Sequence, residues 1–317
     1  MERRTYWLET LGCPKNEVDS DKLATTLAAD GYVLAEDPSE ADLVVVNTCA
    51  FIESAREESI ETVLELSGTR KAGAEVVVTG CMAERYGDEL ASALPEVDRI
   101  APFGASLTST ATPVSLSGPK GEAFDLLELP RSPVDKPWAY VKVAEGCDRR
   151  CGFCAIPSFR GDQRSRRATA VLTEVERLVA QDAPVREVVL VAQDLASYGL
   201  DRRRGGEGEQ LELLDGLAVA TQPLVALVEA LTPAVERLRL LYLYPSGLTQ
   251  GLIEAVLATG VPYFDLSLQH VSAPLLRGMK RWGNGDRFLE RIEAIRAAEP
   301  AAVFRSNFIV GYPGETE

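Results

Sequence analysis

Cys147, Cys151 and Cys154 form a Cys-x3-Cys-x2-Cys run within eight residues. Three thiolates in one loop hold three irons of a cubane cluster and leave the fourth iron open to bind a cofactor through nitrogen and oxygen atoms. A zinc knuckle would want a fourth Cys or His nearby, and the single histidine, His270, is far along the chain. The other three cysteines, Cys13, Cys49 and Cys81, are dispersed, yet each follows a predicted strand and precedes a predicted helix. In an open parallel sheet that position lies at the carboxyl ends of the strands, where ligands bind. The expectation is three thiols converging at one sheet edge, where helix N-termini favour thiolate and an anionic cluster. One such cysteine is ordinarily a core residue; three suit iron–sulfur or zinc. Gly12 and Gly80 directly precede two of them and allow close backbone approach.

The elements that must position these thiols alternate. Strands are expected at Thr5–Glu9, Leu43–Asn47 and Glu75–Thr79, with helices at Val18–Ala29, Ile52–Leu66 and Ala83–Leu94. Short apolar strands between helices indicate parallel βαβ units covered on both faces, here a doubly wound domain over residues 1–100. A Ser/Thr/Pro/Gly-rich stretch, 101–136, reads as a linker with room for a short strand. A second domain, 137–317, has expected strands at Ala139–Val143, Glu187–Ala192, Leu238–Leu243, Tyr263–Leu268 and Val303–Val310. Helices are expected at Thr173–Gln181, Leu224–Leu231, Leu248–Ala258 and Arg287–Ala298, and a surface loop at Arg202–Gly208.

With 317 residues, 46% apolar and 26% charged, the chain has the composition of a globular protein long enough for two domains. Its apolar stretches, such as Leu43–Val46 and Val188–Ala192, fall well short of the ~18 residues of a membrane span. The N-terminus has no apolar h-region, so no signal peptide and a cytoplasmic location are expected. A net charge of −15 disfavours a generic grip on nucleic-acid phosphates, DNA included, and suits a basic protein partner. One histidine excludes two-histidine zinc sites, and this pattern of six cysteines in a large intracellular chain favours metal over disulfides.

The central cysteine run, with Phe153 before its last cysteine and a strand before its first, resembles the radical S-adenosylmethionine (SAM) superfamily. The stretches LGCPKNEVDSD (Leu11–Asp21), NTCAFIESAREESI (Asn47–Ile60), VTGCMAERY (Val78–Tyr86) and EGCDRRCGFCAIPSFRG (Glu145–Gly161) together resemble the methylthiotransferases. That resemblance implies an α/β protein: a flavodoxin-like doubly wound parallel sheet followed by a radical SAM partial (β/α) barrel. It implies two 4Fe–4S clusters, an auxiliary one on Cys13, Cys49 and Cys81 and a SAM-binding one on Cys147, Cys151 and Cys154. Family members continue with a further β/α unit and a small barrel, the TRAM domain; this sequence ends at Glu317, so a core lacking those parts is expected.

Two branches of the family compete. One, the MiaB type, modifies a tRNA adenosine; the other, the RimO type, adds a methylthio group to the β-carbon of an aspartate of small-subunit ribosomal protein S-twelve. Cys13-Pro14-Lys15-Asn16, Cys154–Ser158, Ala192-Gln193-Asp194, Tyr198-Gly199 and Leu268-Gln269-His270 resemble the ribosomal-protein branch. The acidic charge agrees, because ribosomal proteins are basic. The implied partners are that ribosomal protein or the intact small subunit, and an electron donor such as flavodoxin or ferredoxin. The competing readings are the tRNA branch and a non-catalytic iron–sulfur electron carrier.

The resemblance further suggests SAM contacts at Gln193 and at Gly311 and Gly314 of the Gly-Tyr-Pro-Gly turn. The wider superfamily commonly has Gly-Glu where Gln193-Asp194 stands, and a plain turn accounts for the glycines equally well. Asp194 and His270 end predicted strands, where barrels carry chemistry; a lone histidine is more often structural. Arg149, Arg150, Arg160, Arg164, Arg166 and Arg167 crowd around the cysteine loop. Such a run ordinarily reads as a solvated basic face, with docking of the ribosome or of an acidic side chain as the functional alternative.

Overall fold

A computed structural model describes residues 3–108, 125–202 and 222–316. Most of the expected surface loop Arg202–Gly208, and the middle of the Ser/Thr/Pro-rich stretch, lie outside the described residues. The chain forms two compact units, Met1–Ser132 with Ser158–Arg160, and Pro133–Pro157 with Gly161–Glu317.

In the first unit the elements run β1 (Thr5–Thr10), α1 (Pro14–Ala29), β2 (Val33–Leu34), β3 (Leu43–Thr48), α2 (Glu53–Thr69), β4 (Glu75–Gly80), α3 (Cys81–Ala93) and β5 (Arg99–Ile100). The five strands are all parallel, in the order β2-β1-β3-β4-β5. This is the flavodoxin-like order, which reverses between β1 and β3. Every residue of β3 is buried, as expected of a β-branched central strand covered by helices on both faces. Helix α1 begins at Pro14, earlier than the apolar periodicity suggests. Cys13 is the extended N-cap (φ −107°, ψ 166°), and Pro14 occupies a first-turn position whose missing N–H costs nothing. Part of the segment expected as a linker packs here. Ala101, Leu107 and Leu126 belong to the first unit's core, and the fully buried Lys22 donates from Nζ to the Leu127 carbonyl at 2.5 Å.

In the second unit β6 (Trp138–Lys142) leads to β7 (Ala144–Glu145), α4 (Ile156–Arg160, whose last three residues count with the first unit), β8 (Arg164–Ser165), α5 (Ala168–Ala180) and β9 (Glu187–Val191). Then come α6 (Pro223–Leu231), β10 (Arg237–Leu240), α7 (Gln250–Ala258), β11 (Tyr263–Asp265), α8 (Ala273–Gly278), α9 (Gly285–Ala298) and β12 (Val303–Arg305). Parallel pairs β6–β9, β9–β10 and β11–β12, with a parallel bridge from Leu243 to Leu266, place successive β/α strands side by side. This is the partial barrel that the family resemblance implies, built from the expected alternation of strands and helices.

Its strands are shorter than their apolar runs. β10 stops at Leu240 because Tyr242 turns to φ 63° and gives its N–H to Asp265 Oδ2 (3.0 Å) instead of continuing the ladder. β11 stops at Asp265, and Gln269 takes φ 71°. β12 stops at Arg305, leaving only a bridge between Gln269 and Phe308. The antiparallel pair β7–β8 is not signalled by any apolar run. The core is nevertheless dense: Val141, Val143, Leu190, Leu195, Tyr198 and Leu227 are fully shielded. Each buried aliphatic side chain of this kind contributes roughly 1.5–3 kcal/mol.

Candidate functional site

In the first unit β1, β3 and β4 are adjacent, and each is followed at its carboxyl end by one cysteine. Cys13 caps α1, Cys49 directly follows β3, and Cys81 opens α3. Cys13 and Cys49 thus flank the point where strand order reverses, the usual ligand crevice of this architecture. The backbone is close there. A Cβ built on Gly12 (φ +94°) would lie 2.7 Å from Cys49 Cβ and 2.9 Å from its Sγ. One on Gly80 (φ +90°) would lie 2.3 Å from Asn47 Oδ1. Gly12→Ala therefore combines backbone strain with a collision against Cys49. It is expected to lower stability by about 1–3 kcal/mol in urea unfolding and to reduce iron uptake.

A polar net holds this edge. The buried Asn16 donates from Nδ2 to the carbonyls of Leu11 (2.9 Å) and Thr48 (3.1 Å), which tie the ends of β1 and β3. The Cys49 N–H donates to Ser59 Oγ at 3.1 Å. Arg160 approaches Cys81 Sγ with Nε at 3.3 Å and Nη2 at 3.2 Å, donates to Asn16 Oδ1 at 2.8 Å and pairs with Asp19 at 3.3 Å. Burial raises the Cys49 and Cys81 thiols, and the charges of neighbouring thiols add to the rise. Burial acts the same way on Cys13. There the Lys15 and Arg160 charges and the N–H groups of Asn16 and Lys15 outweigh it and hold the thiol below its ordinary value.

In the second unit Cys147, Cys151 and Cys154 lie in the loop between β7 and α4. The Cys147 N–H donates to the Gly161 carbonyl (3.0 Å), which closes the loop, and the Cys154 N–H donates to the Cys151 carbonyl (3.1 Å). Two N–H groups face sulfur: Arg149 N to Cys147 Sγ and Arg281 Nη1 to Cys151 Sγ, both 3.4 Å. Burial, with Asp194 and the two neighbouring thiols adding to it, pushes the Cys147 thiol up to about 11. None of the six cysteines forms a disulfide. Among the described residues no three His, Cys, Asp or Glu side chains converge on a single ion. A cubane does not need that, since each of its cysteines takes a different iron.

The remaining expected residues fall around this loop. Gln193, just past β9, donates from Nε2 to Glu145 Oε1 (2.6 Å), and the other Glu145 oxygen pairs with the fully buried Lys142 at 2.7 Å. Gly311 and Gly314 both take positive φ (73° and 93°) in a turn that Glu315 fastens by accepting from the Gly311 and Tyr312 N–H groups. Tyr312 of that turn donates to the Gly278 carbonyl (3.1 Å). Its hydroxyl would be 2.9 Å from a Cβ on Gly152, the residue after Cys151. The turn and the cysteine loop are therefore in contact. His270 Nδ1 accepts from the Ser272 N–H (2.9 Å) and Nε2 lies 3.0 Å from Glu315 Oε1. Both ring nitrogens are engaged in holding the turn, a structural role. Asp194 Oδ2 accepts from Arg149 Nε (2.8 Å) and Ser197 Oγ (2.7 Å).

The arginine run departs from the expected solvated face. Arg160 and Arg166 are buried, the latter against Glu174 at 2.6 Å. Arg149 pairs with Asp194 and Arg150 with Asp162, and Arg150, Arg164 and Arg167 remain exposed. Sequence reasoning missed Tyr244 and Arg281. The guanidinium groups of Arg149 and Arg281 stack on the Tyr244 ring at 3.9 and 4.0 Å. Nothing near the cysteine run in sequence announces them.

Residues 5–102 match the uncharacterized protein family UPF0004, and residues 141–317 match the radical SAM superfamily. The ribosomal protein uS12 methylthiotransferase RimO of Streptomyces griseus is 43% identical over 368 aligned positions, covering 100% of this chain and 71% of the relative. The protein of the same name from Nocardioides sp. is 43% identical, covering 97% and 69%. This chain belongs to the RimO family of radical SAM methylthiotransferases. Solved structures share its fold. The radical SAM methyltransferase TsrM from Kitasatospora setae matches at TM-score 0.57 and 16% identity over 100% of this chain and 71% of that one. The cobalamin-dependent radical SAM enzyme OxsB matches at TM-score 0.59 and 12% identity, over 97% and 49%. Membership in the RimO family makes the chain a transferase and brings a 4Fe–4S cluster and SAM with it. Among the described residues no helix is long and apolar enough to cross a membrane.

Proposed function

We propose that this chain adds a methylthio group to the β-carbon of an aspartate of ribosomal protein uS12, using two 4Fe–4S clusters and SAM. Cys147, Cys151 and Cys154 hold the SAM-binding cluster, and Cys13, Cys49 and Cys81 hold the second. The observation that carries the two-cluster reading is the placement of one free thiol after each of three adjacent parallel strands. The donor set fits iron–sulfur chemistry, since thiolates are soft ligands and both triads carry N–H groups aimed at sulfur. Reduced and bound to SAM, such a cluster supplies the radical that removes a hydrogen from an unactivated carbon.

The chain's own residues bind and orient. Gln193, Gly311 and Gly314 would contact SAM. Glycine at 311 and 314 leaves the backbone free for close approach. Glu145 holds Gln193 in place, and the Arg149–Asp194–Ser197 set fixes the residues just beyond β9. A flavodoxin- or ferredoxin-class donor supplies electrons, the reaction is cytoplasmic, and the −15 charge favours encounter with a basic ribosomal protein.

The test is anaerobic incubation of the reconstituted chain with SAM, reductant and either intact small subunits, isolated uS12 or tRNA. A gain of about 46 Da on one aspartate of uS12, one methylthio group replacing one hydrogen, is the expected result. Modification of tRNA alone would move the assignment to the adenosine-modifying branch. Redox cycling without methionine release would make the chain an electron carrier.

A further inference from the structure

We propose that Arg160 is a positioning residue of the three-cysteine site in the first unit: its N–H···S hydrogen bonds to Cys81 raise the reduction potential of the cluster held there. The inference rests on the two-cluster reading above and deepens it.

The guanidinium is almost wholly withdrawn from water, with its side chain 2% exposed and that of Asp19 1% exposed. Burying a guanidinium is costly unless it is paired and hydrogen-bonded. Here Cys81, Asn16 and Asp19 are among the neighbours that satisfy it. Nε and Nη2 face Cys81 Sγ at 3.3 and 3.2 Å, Nη2 donates to Asn16 Oδ1 at 2.8 Å, and Asp19 Oδ2 lies 3.3 Å away. The cation also stacks on Phe103 at 4.6 Å. Only a planar fork serves three acceptors in this way; a lysine ammonium is a point charge. Asn16 in turn bonds the carbonyls that end β1 and precede Cys49. The guanidinium is therefore registered to the same strand ends that carry the thiols.

A structural ion pair would be complete with Asp19 alone. The two contacts to sulfur go beyond that need. Hydrogen bonds to cluster sulfurs and nearby positive charge both stabilise the reduced, more negative state, and so raise the potential. Asp19 opposes this by partly cancelling the cation. Removing both residues' charges together leaves the net charge of the site unchanged, so a shift in that double variant reports the hydrogen bonds to sulfur, which a purely structural pair would not supply.

The experiment uses the full chain carrying Cys147→Ala, Cys151→Ala and Cys154→Ala, reconstituted anaerobically with iron and sulfide and titrated by electron paramagnetic resonance. This background should hold about four irons, the content of one cubane. Added Asp19→Asn should raise the midpoint potential. Asp19→Asn with Arg160→Gln, which removes both charges together, should lower it relative to the background. The expected change is at least tenfold in the reduction equilibrium, or about 59 mV for a one-electron couple. Arg160→Lys should fall between the background and the double variant. An iron-loaded double variant with unchanged potential would overturn the inference, as would shifts of the same sign for both variants. Loss of iron from every Arg160 variant would also overturn the inference, because the residue would then hold the site together and not tune it. Failure of the background itself to bind iron would instead refute the second cluster.

Discussion

Cys151→Ala leaves the reconstituted chain with about four irons where the unaltered chain holds about eight, and it abolishes reductive cleavage of SAM. The loss is total because the three thiols of the loop have no substitute. Among the described residues the other free thiols lie in the first unit, and His270, the only histidine, has both ring nitrogens engaged by Ser272 and Glu315. A site that loses one of three thiolates exposes a second iron to solvent and does not retain the cluster. The remaining irons report on Cys13, Cys49 and Cys81, so iron analysis and SAM cleavage on the same sample separate the two triads. An unchanged iron content, or zinc in place of iron, would contradict both assignments.

Arg166→Met is expected to destabilise the protein by about 3–5 kcal/mol in chemical denaturation, without touching a cysteine. Arg166 Nη1 donates to the Lys142 carbonyl (3.0 Å) and to Glu174 Oε2 (2.6 Å), and the Arg166 carbonyl accepts from the buried Tyr198 hydroxyl (2.8 Å). Its side chain is 4% exposed and that of Glu174 10%. Removing the cation leaves a carboxylate shielded from water with its principal neutralising charge gone. Replacing both, as Arg166→Met with Glu174→Leu, should recover most of the loss, because an apolar pair of similar volume often matches a buried ion pair. A single variant as stable as the parent would show that water reaches Glu174.

The different fates of the six arginines mark where sequence reading stops. Arg149 through Arg167 look alike as a local run, and local composition describes them as a solvated face. Arg160 meets Asp19 from 141 positions away, and Arg166, just past β8, meets Glu174 of α5, beyond the end of the run. Burial of each depends on a partner that the run itself does not contain. Tyr244 and Arg281 were invisible for the same reason, because they join the cysteine loop only through folding. The end of β10 was overrun where Tyr242 turns to positive φ, since apolar character persists past the point where the ladder breaks. The start of α1 was legible in Pro14 after an extended Cys13, and periodicity alone placed it too late.

By itself the sequence determined the chemistry and the architecture that carries it. Metal-ligating residue types cannot be exchanged, so six cysteines in two triads remain readable. β-branched runs alternating with good helix formers specify parallel β/α units, because backbone preference and side-chain period are local properties. Tertiary structure alone decided which strands adjoin, which arginines leave water, and which thiol receives a hydrogen bond. Those outcomes depend on desolvation and pairing between residues distant along the chain, where the cost of burying a charge is met only by a partner that packing brings within about 3 Å.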